Sequence, residues 1–537
     1  MRDLEKWMKE RELTPEKVEM ARIILNEIQA GRDVLEAIRA HPLPVIGHLG
    51  KHTLVGVYRY LVEKGEWEED EIFLRKIRMK PGRTLSGVTT VTVLTGPHAC
   101  PGQCIFCPDD ERMPKSYLPD EPGAARAFQN AFDPYLQVKS RLDAYYAVGH
   151  PTDKIELLIL GGTWSVYPRE YQQRFVQRCL DAMNEEDSAS LLEAQLKNET
   201  ARHRNVGLAI ETRPDEINAN ELQWLRTLGV TKVQLGAQSL DDRILSMNQR
   251  GHTPADTLRA TAFLRAAGFK IVLHWMPNLL GATLESDRID FARLWQSAEE
   301  GLGYCPDELK IYPTQLLENT VLHTIWEQGQ YHPYDTDQLI ELIAGIKPSV
   351  PEYCRINRVI RDIPSNHVVE GNKRTSLRQD ISDLVKARGS VCRCVRCREV
   401  GHTKVSLDEL TFKDFTYNPA FSEEHFLSFN TPDDHLAGYL RLSFPSVQAP
   451  QTGMPDLEGA AIIREVHVYG QSVPVGEEQD GAAQHIGLGT ELLLAAERLA
   501  VQKGLHRLAV ISAIGTRKYY RDRGFTLSEH YMIKEIA

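Results

Sequence analysis

His98-Ala99-Cys100-Pro101-Gly102-Gln103-Cys104-Ile105-Phe106-Cys107 follows an apolar, strand-like run, Val91 to Thr95. Three of the nine cysteines stand here as C-x3-C-x2-C, in a loop bent by Pro101 and Gly102. Three thiolates so close in sequence can converge on one iron–sulfur cube and leave its fourth iron open. Structural zinc sites usually take four protein ligands from paired C-x2-C units, which this array does not offer.

The spacing resembles that of the radical S-adenosylmethionine (SAM) superfamily, in which the open iron binds SAM and an electron from the cluster cleaves it to a 5′-deoxyadenosyl radical. Outward from the loop, short apolar runs alternate with amphipathic helices from about 85 to 350. The runs are Thr90–Thr95, Ile155–Leu160, Val206–Ile210, Lys232–Leu235, Lys270–Trp275 and Glu308–Tyr312. Strands apolar on both faces and separated by helices predict a parallel sheet under helices, here a partial (β/α)6 barrel. Each run ends in polar or glycine-rich sequence: Gly161-Gly162-Thr163, Glu211-Thr212-Arg213-Pro214, Gln238-Ser239, and His274 through Asn278. In β/α barrels such ends form the active-site rim. Gly161, Gly162, Thr163, Glu211, Gln238 and Lys270 are therefore the expected SAM contacts, a tight turn being the bland alternative for Gly161-Gly162.

The 537 residues, 42% hydrophobic, suffice for about three or four domains. The charged start, Met1 to Pro15, does not read as a signal peptide, and no apolar run reaches the roughly 18 residues of a membrane span. A soluble, cytoplasmic protein is expected. Helical spacing of Val18, Ile23, Ile24, Leu25 and Ile28, then Val34, Leu35 and Ile38, predicts a small helical domain over 1–78. A net charge of −11 argues against nucleic acid, yet cations cluster locally. Arg75, Lys76, Arg78, Lys80 and Arg83 form one group; Arg355, Arg358, Arg361, Lys373, Arg374 and Arg378 a second; Arg388, Arg393, Arg396 and Arg398 a third. Three such regions around the barrel, expected over 79–384, point to a polyanionic partner.

Cys392, Cys394 and Cys397 lie in a linker, 385–404, and predict zinc; His402, Cys305 and Cys354 are the candidate fourth ligands. From 405 to 537 the pattern is a mixed sheet with strands near Tyr439–Phe444, Ala461–Tyr469 and Leu508–Ser512. Gln484-His485-Ile486-Gly487-Leu488-Gly489-Thr490 opens a helix, where glycines expose backbone N–H groups that bind a diphosphate. With Gly515-Thr516-Arg517-Lys518-Tyr519-Tyr520 following, this order resembles the GNAT acetyltransferase fold, whose ligand is acetyl-coenzyme A.

Radical SAM barrel, cysteine linker and GNAT domain in one α/β multidomain chain closely resemble the Elongator catalytic subunit family, as a stand-alone prokaryotic member. Lys80-Pro81, Arg83-Thr84, Asp153-Lys154 and Arg361-Asp362-Ile363-Pro364 fall in the family's order. Some members lack the C-x-C-x2-C set, so zinc is not implied as essential. The resemblance implies that tRNA wobble uridine is converted to 5-carboxymethyluridine: the radical takes a hydrogen from the acetyl methyl group, the carbon radical attacks uracil C5, and the thioester is hydrolysed. It also implies that Cys100, Cys104 and Cys107 hold a [4Fe-4S] cluster and that Lys154 contacts coenzyme A. The backbone from Glu465 through Val466 and His467 to Val468 would pair with the pantetheine arm, and Leu488-Gly489-Thr490 would cradle the diphosphate. Tyr519 and Tyr520 would sit by the thioester as catalytic groups, with Lys270 on the SAM side. The basic regions would grip the anticodon stem-loop. An electron donor and a homodimeric partner complete the expected assembly. The alternative is a protein lysine acetyltransferase with a purely structural barrel.

Overall fold

The structure is a computed structural model and describes residues 12–44, 47–84, 86–374, 376–401, 405–469 and 487–537, without the Arg83 side chain. Helices Pro15–Gln29, Val34–Ala40, Lys51–Glu63 and Glu71–Ile77 form the first unit. Asp33 and Asp70 start two of them by accepting from the backbone N–H groups of the first turn. Their apolar faces bury Ile24, Leu25, Leu54, Tyr58, Phe73 and Leu74 in a core of their own. Each such side chain contributes about 1.5–3 kcal/mol of hydrophobic stabilisation.

Seven parallel strands follow in consecutive order: β1 Thr89–Leu94, β2 Lys154–Leu160, β3 Arg204–Thr212, β4 Lys232–Gln238, β5 Lys270–Trp275, β6 Glu308–Ile311 and β7 Arg355–Arg358. They form a half-barrel whose edge strands, β1 and β7, do not pair. The sequence reading stops at six strands. The seventh, Arg-Ile-Asn-Arg, buries only Ile356 and carries arginines, so it has no apolar run to reveal it.

The second sheet runs in the order β13-β14-β12-β11-β10-β9-β8. Its strands are β8 Thr411–Tyr417, β9 Ser422–Asn430, β10 Leu436–Pro445, β11 Ala461–Val468, β12 Arg507–Val510, β13 Thr526–Leu527 and β14 Met532–Glu535. β11 pairs with β12 only over Ala461–Ile463, so its outer half diverges from that neighbour while still pairing with β10.

The first residues of the barrel strands face this sheet, and a connected set of charges, fully buried at Asp307 and partly open to the cavity at Glu156 and Lys270, joins the two. Asp307 accepts from Arg464, Arg441 lies 3.5 Å away, and Arg464 also donates to Glu424 at 2.8 Å. Arg265 stands 4.0 Å from Asp307 and 3.8 Å from Glu424. The set continues through Arg441–Glu465, Glu465–Lys270, Lys270–Glu308, Glu308–Lys232 and Lys232–Glu156. Five carboxylates thus meet five cations, and Asp307, Arg464 and Glu424 are fully buried. Backbone packing closes the same contact: a Cβ on Gly303 would stand 2.4 Å from the Ala420 nitrogen.

Removing one member of a buried pair strands its partner without solvent, at a cost of about 3–5 kcal/mol. Arg464→Met is therefore expected to lower stability by about that amount, seen as a reduced urea midpoint by both far-UV and tryptophan signals; an unchanged midpoint would contradict the role given to this network.

Candidate functional site

The cysteine loop leaves the end of β1. Thr95 donates its N–H to Leu160, and its hydroxyl meets Tyr167 at 2.7 Å. Gly161 packs onto this threonine: an added Cβ would lie 1.8 Å from Thr95 Oγ1, and φ is +138°. Gly161 is thus required for the crossing of loop and strand end, and it does not line the cavity beyond. Gly162, Thr163, Glu211 and Gln238 do.

That cavity, about 820 Å³, runs through the half-barrel. Cys100, Cys104 and Cys107 line one end, and Glu465, Val466, His467 and Tyr520 line the other. Among the described residues only Cys392, Cys394 and Cys397 bring three metal-ligating side chains within 4.8 Å of one another. The loop thiols are not all so close together: Cys104 and Cys107 share a hydrogen bond, and Cys100 stands apart from the pair. A Cβ on Gly102 would stand 3.6 Å from both Cys100 and Cys104 Sγ and 2.6 Å from Arg213 Nη1. The hydrogen bond shared with Cys107 lowers the Cys104 thiol and raises that of Cys107, and the Arg250 and Arg213 charges lower Cys104 further. Three cysteines, with no fourth among the described residues, and a cavity on their open side fit a [4Fe-4S] cluster with one free iron.

Polar groups without partners face the same space. Gln238, at φ +68°, leaves Oε1 buried and unpaired, as is Arg213 Nη1. Burial raises the Glu211 carboxyl, with Lys310 and Arg361 opposing that rise. These groups can bind the amino, carboxylate and hydroxyl functions of a small ligand.

Lys270 is elsewhere. As the first residue of β5 it sits at the opposite mouth from the cysteines, bonded to Glu465 and 3.7 Å from Glu308. A strand's first side chain cannot reach the rim formed by its last, so the structure does not bring Lys270 to the SAM side. Lys154 likewise opens β2 at that lower mouth, where burial pulls its ammonium pKa down. It does not line the cavity itself.

At the second sheet, Gly487, at φ +77°, precedes helix Leu488–Gln502, whose first turn has no side-chain cap. Gly489 lets Tyr519 approach: a Cβ there would be 2.4 Å from the phenol oxygen and 3.8 Å from Val468 Cγ2. Thr490 Oγ1 accepts from Arg523 at 3.2 Å, and Arg523 covers the Tyr519 ring. Val468, Gly489, Thr490 and Tyr519 therefore form one group with the diverging half of β11, next to the cavity that Tyr520 enters. The uncapped turn and the half-paired strand fit a pantetheine diphosphate. Leu488 is buried in the core, and Gln484 to Ile486 lie outside the described residues.

Cys394 is lowered by hydrogen bonds from Cys392 and Cys397, a thiolate-favouring arrangement that suits zinc. Cys305 and Cys354 are not in this group; Cys305 turns to the Gln296 carbonyl at 3.8 Å. His402 lies outside the described residues.

The basic regions divide. Lys76 and Lys80 are exposed, and Arg75 lies 3.3 Å from Glu71. Arg78 is buried, donating to Glu71 and to the Gly149 carbonyl, and so ties the helical unit to the barrel instead of facing solvent. Arg355, Arg361, Arg388 and Arg393 pair with Glu399, Glu121, Glu341 and Glu352. Arg396 is exposed and lines the cavity. The sequence reading missed Arg250, whose guanidinium reaches Cys104 Sγ at 3.3 Å; only its place beside Gly251, in a loop before a helix, signalled it.

The half-barrel of seven parallel strands and the three-cysteine loop at its strand ends, joined to a second mixed sheet, define a protein of the radical SAM class. Compared with protein families, residues 95–293 match the Radical SAM superfamily and residues 306–386 the Radical_SAM C-terminal domain. A tRNA uridine(34) acetyltransferase of Dehalococcoides mccartyi is 43% identical over 85% of this chain and 99% of its own. One from Methanocaldococcus infernus is 38% identical over 96% and 98%. Human Elongator complex protein 3 is 36% identical over 87% of each. The solved M. infernus Elp3 lacking residues 1–46 superposes with a TM-score of 0.74 at 36% identity, over 84% of this chain and 100% of that one. The chain belongs to the Elongator complex protein 3 family of tRNA uridine(34) acetyltransferases.

Arg78→Glu places a carboxylate beside Glu71 and a backbone carbonyl and is expected to lower the melting temperature sharply, whereas Lys76→Glu should stay within about 0.5 kcal/mol of the parent. Equal effects in thermal melts would show that Arg78 is a surface group after all.

Proposed function

We propose that this protein modifies the wobble uridine of tRNA, using SAM at the cysteine end of the barrel and acetyl-coenzyme A at the other, to give 5-carboxymethyluridine. The observation that carries this reading is the single cavity between Cys100, Cys104 and Cys107 on one side and Tyr520 and β11 on the other. When bound, the cluster and SAM supply the one-electron chemistry that opens an unactivated C–H bond, which acid–base side chains cannot do.

The chain's own part is holding and orientation. The Gly162 backbone, Thr163, Glu211 and Gln238 would bind SAM. The open edge of β11 at Glu465, Val466, His467 and Val468 would pair with the pantetheine amides, and the first turn at Gly489 and Thr490 would meet the diphosphate. Burial raises the Tyr520 phenol above its usual range, so it stays protonated. It can donate a hydrogen bond to a thioester oxygen but does not act as a base at neutral pH. Lys154 and Lys270 border the acetyl end. Residues 1–78, including Lys76, together with Lys80 and Arg396, would meet the anticodon stem-loop, whose unpaired base can enter the cavity. We assign 79–384 to the barrel, 385–404 to a zinc-binding linker and 405–537 to the acetyl-coenzyme A domain. An external one-electron donor is required.

Anaerobic incubation of cluster-loaded protein with tRNA, SAM, a reductant and methyl-deuterated acetyl-coenzyme A should yield 5′-deoxyadenosine containing deuterium, and Cys104→Ser should abolish the yield. Deuterium-free 5′-deoxyadenosine from a coupled reaction would sink the reading; acetylation of a peptide unaffected by Cys104→Ser would favour the lysine acetyltransferase instead. For the linker, metal analysis should find one zinc per chain in the parent and none in Cys394→Ser. Zinc retained by that variant would remove Cys394 from the ligand set.

A further inference from the structure

The loop thiols are met from one side by two buried guanidiniums. Arg250 is 7% exposed and spends its nitrogens on two acceptors: Nε and Nη2 donate to the Gly236 carbonyl at 3.2 and 2.6 Å, and Nη1 donates to Cys104 Sγ at 3.3 Å. No carboxylate lies within 4.0 Å of it among the described residues. The fork is closely fitted: a Cβ on Gly236 would stand 2.6 Å from Arg250 Nη2, so a side chain there would push the guanidinium off that carbonyl. The loop carrying Arg250 is tied to the cysteine loop, since Ile105 donates its N–H to the Asn248 carbonyl at 3.3 Å. Gln249 and Gly251 flank it at φ +51° and +76°.

Arg213, at the end of β3, is the second cation. Asp215 grips it through Nε at 2.9 Å and Nη2 at 2.8 Å, leaving Nη1 buried, unpaired and directed at the Gly102 side of the thiols. One guanidinium is thus gripped by a carboxylate, and the other bonds a sulfur while feeling the Glu211 carboxyl only from beyond ion-pair distance.

A hydrogen bond and a fixed positive charge at a cluster sulfur stabilise the form with one more electron. We propose that Arg250 sets the reduction potential of the cluster through Cys104, with the Arg213–Asp215 pair as a weaker, partly cancelled contribution. Arg250 is a positioning residue in this account: it acts on the cluster through its ligand and touches no substrate. The electron itself comes from an external one-electron donor and enters the cluster without any bond being made or broken. A positive site of this kind makes the cluster easier to reduce, so the donor need not be as strong a reductant as an unassisted cluster would demand.

The inference rests on the reading that Cys100, Cys104 and Cys107 hold the cluster, and the test separates the two. Full-length protein is reconstituted with iron and sulfide, iron content is measured, and the midpoint is read by EPR-monitored titration with dithionite in the absence of SAM and tRNA. Failure of the parent to bind iron sinks the cluster reading. With the parent loaded, Arg250→Gln should reduce the equilibrium constant for cluster reduction at least tenfold, a shift of about 59 mV to more negative potential for one electron. Arg250→Lys, which keeps the charge but loses the fork on Gly236, should fall between. Asp215→Asn, which frees the Arg213 charge, should move the midpoint in the positive direction. An unmoved midpoint in loaded Arg250→Gln overturns the proposal; if that variant does not retain iron, an unmoved midpoint in both Arg250→Lys and Asp215→Asn overturns it.

Discussion

Asp307 is the hinge of the molecule's chemistry. Its carboxylate, at the start of β6, faces Arg464 and Arg441 of the second sheet and Arg265 of a barrel helix, and burial, which opposes ionisation, is outweighed by these cations so that the group is held near 2. A lone carboxylate in that position would be prohibitively costly to keep dry. The pairing therefore fixes the lower mouth of the barrel against β11, and with it the shape of the cavity that runs from the cysteine loop to Tyr520.

From there the geometry follows in order. The strands carry the cysteine loop on their last residues and the charged belt on their first, and the cavity between is polar along its length. Glu156, Lys232, Glu308 and Lys270 line it as members of the same balanced network. Structural charges and cavity wall are thus the same side chains, so the interface cannot be altered without altering the chamber.

The sequence made the half-barrel legible because period and strand-end chemistry are local: an apolar run followed by Gly161-Gly162 or by Glu211 is visible in a few residues. The cysteine spacing was equally local. What escaped was whatever depends on which end of a strand a side chain occupies, or on a distant partner. Lys270 opens the run Lys270–Trp275, and grouping it with the rim residues overlooked that a strand's first side chain lies at the mouth opposite its last. Arg78 sits in a basic stretch and yet is consumed by Glu71 and Gly149, a pairing 71 residues away in the second case. Gly161 looked like a ligand-binding glycine and answers instead to Thr95. Arg250 is 146 residues from the cysteine it touches.

The ion network has a bearing on temperature. The penalty for withholding water from charged groups falls on warming, because their hydration carries a strongly negative entropy, while apolar burial gains little further. The helical unit rests chiefly on its own apolar core, with the buried Arg78 as its polar tie to the barrel. The ion network that joins the barrel to the second sheet therefore holds their alignment with little loss on warming.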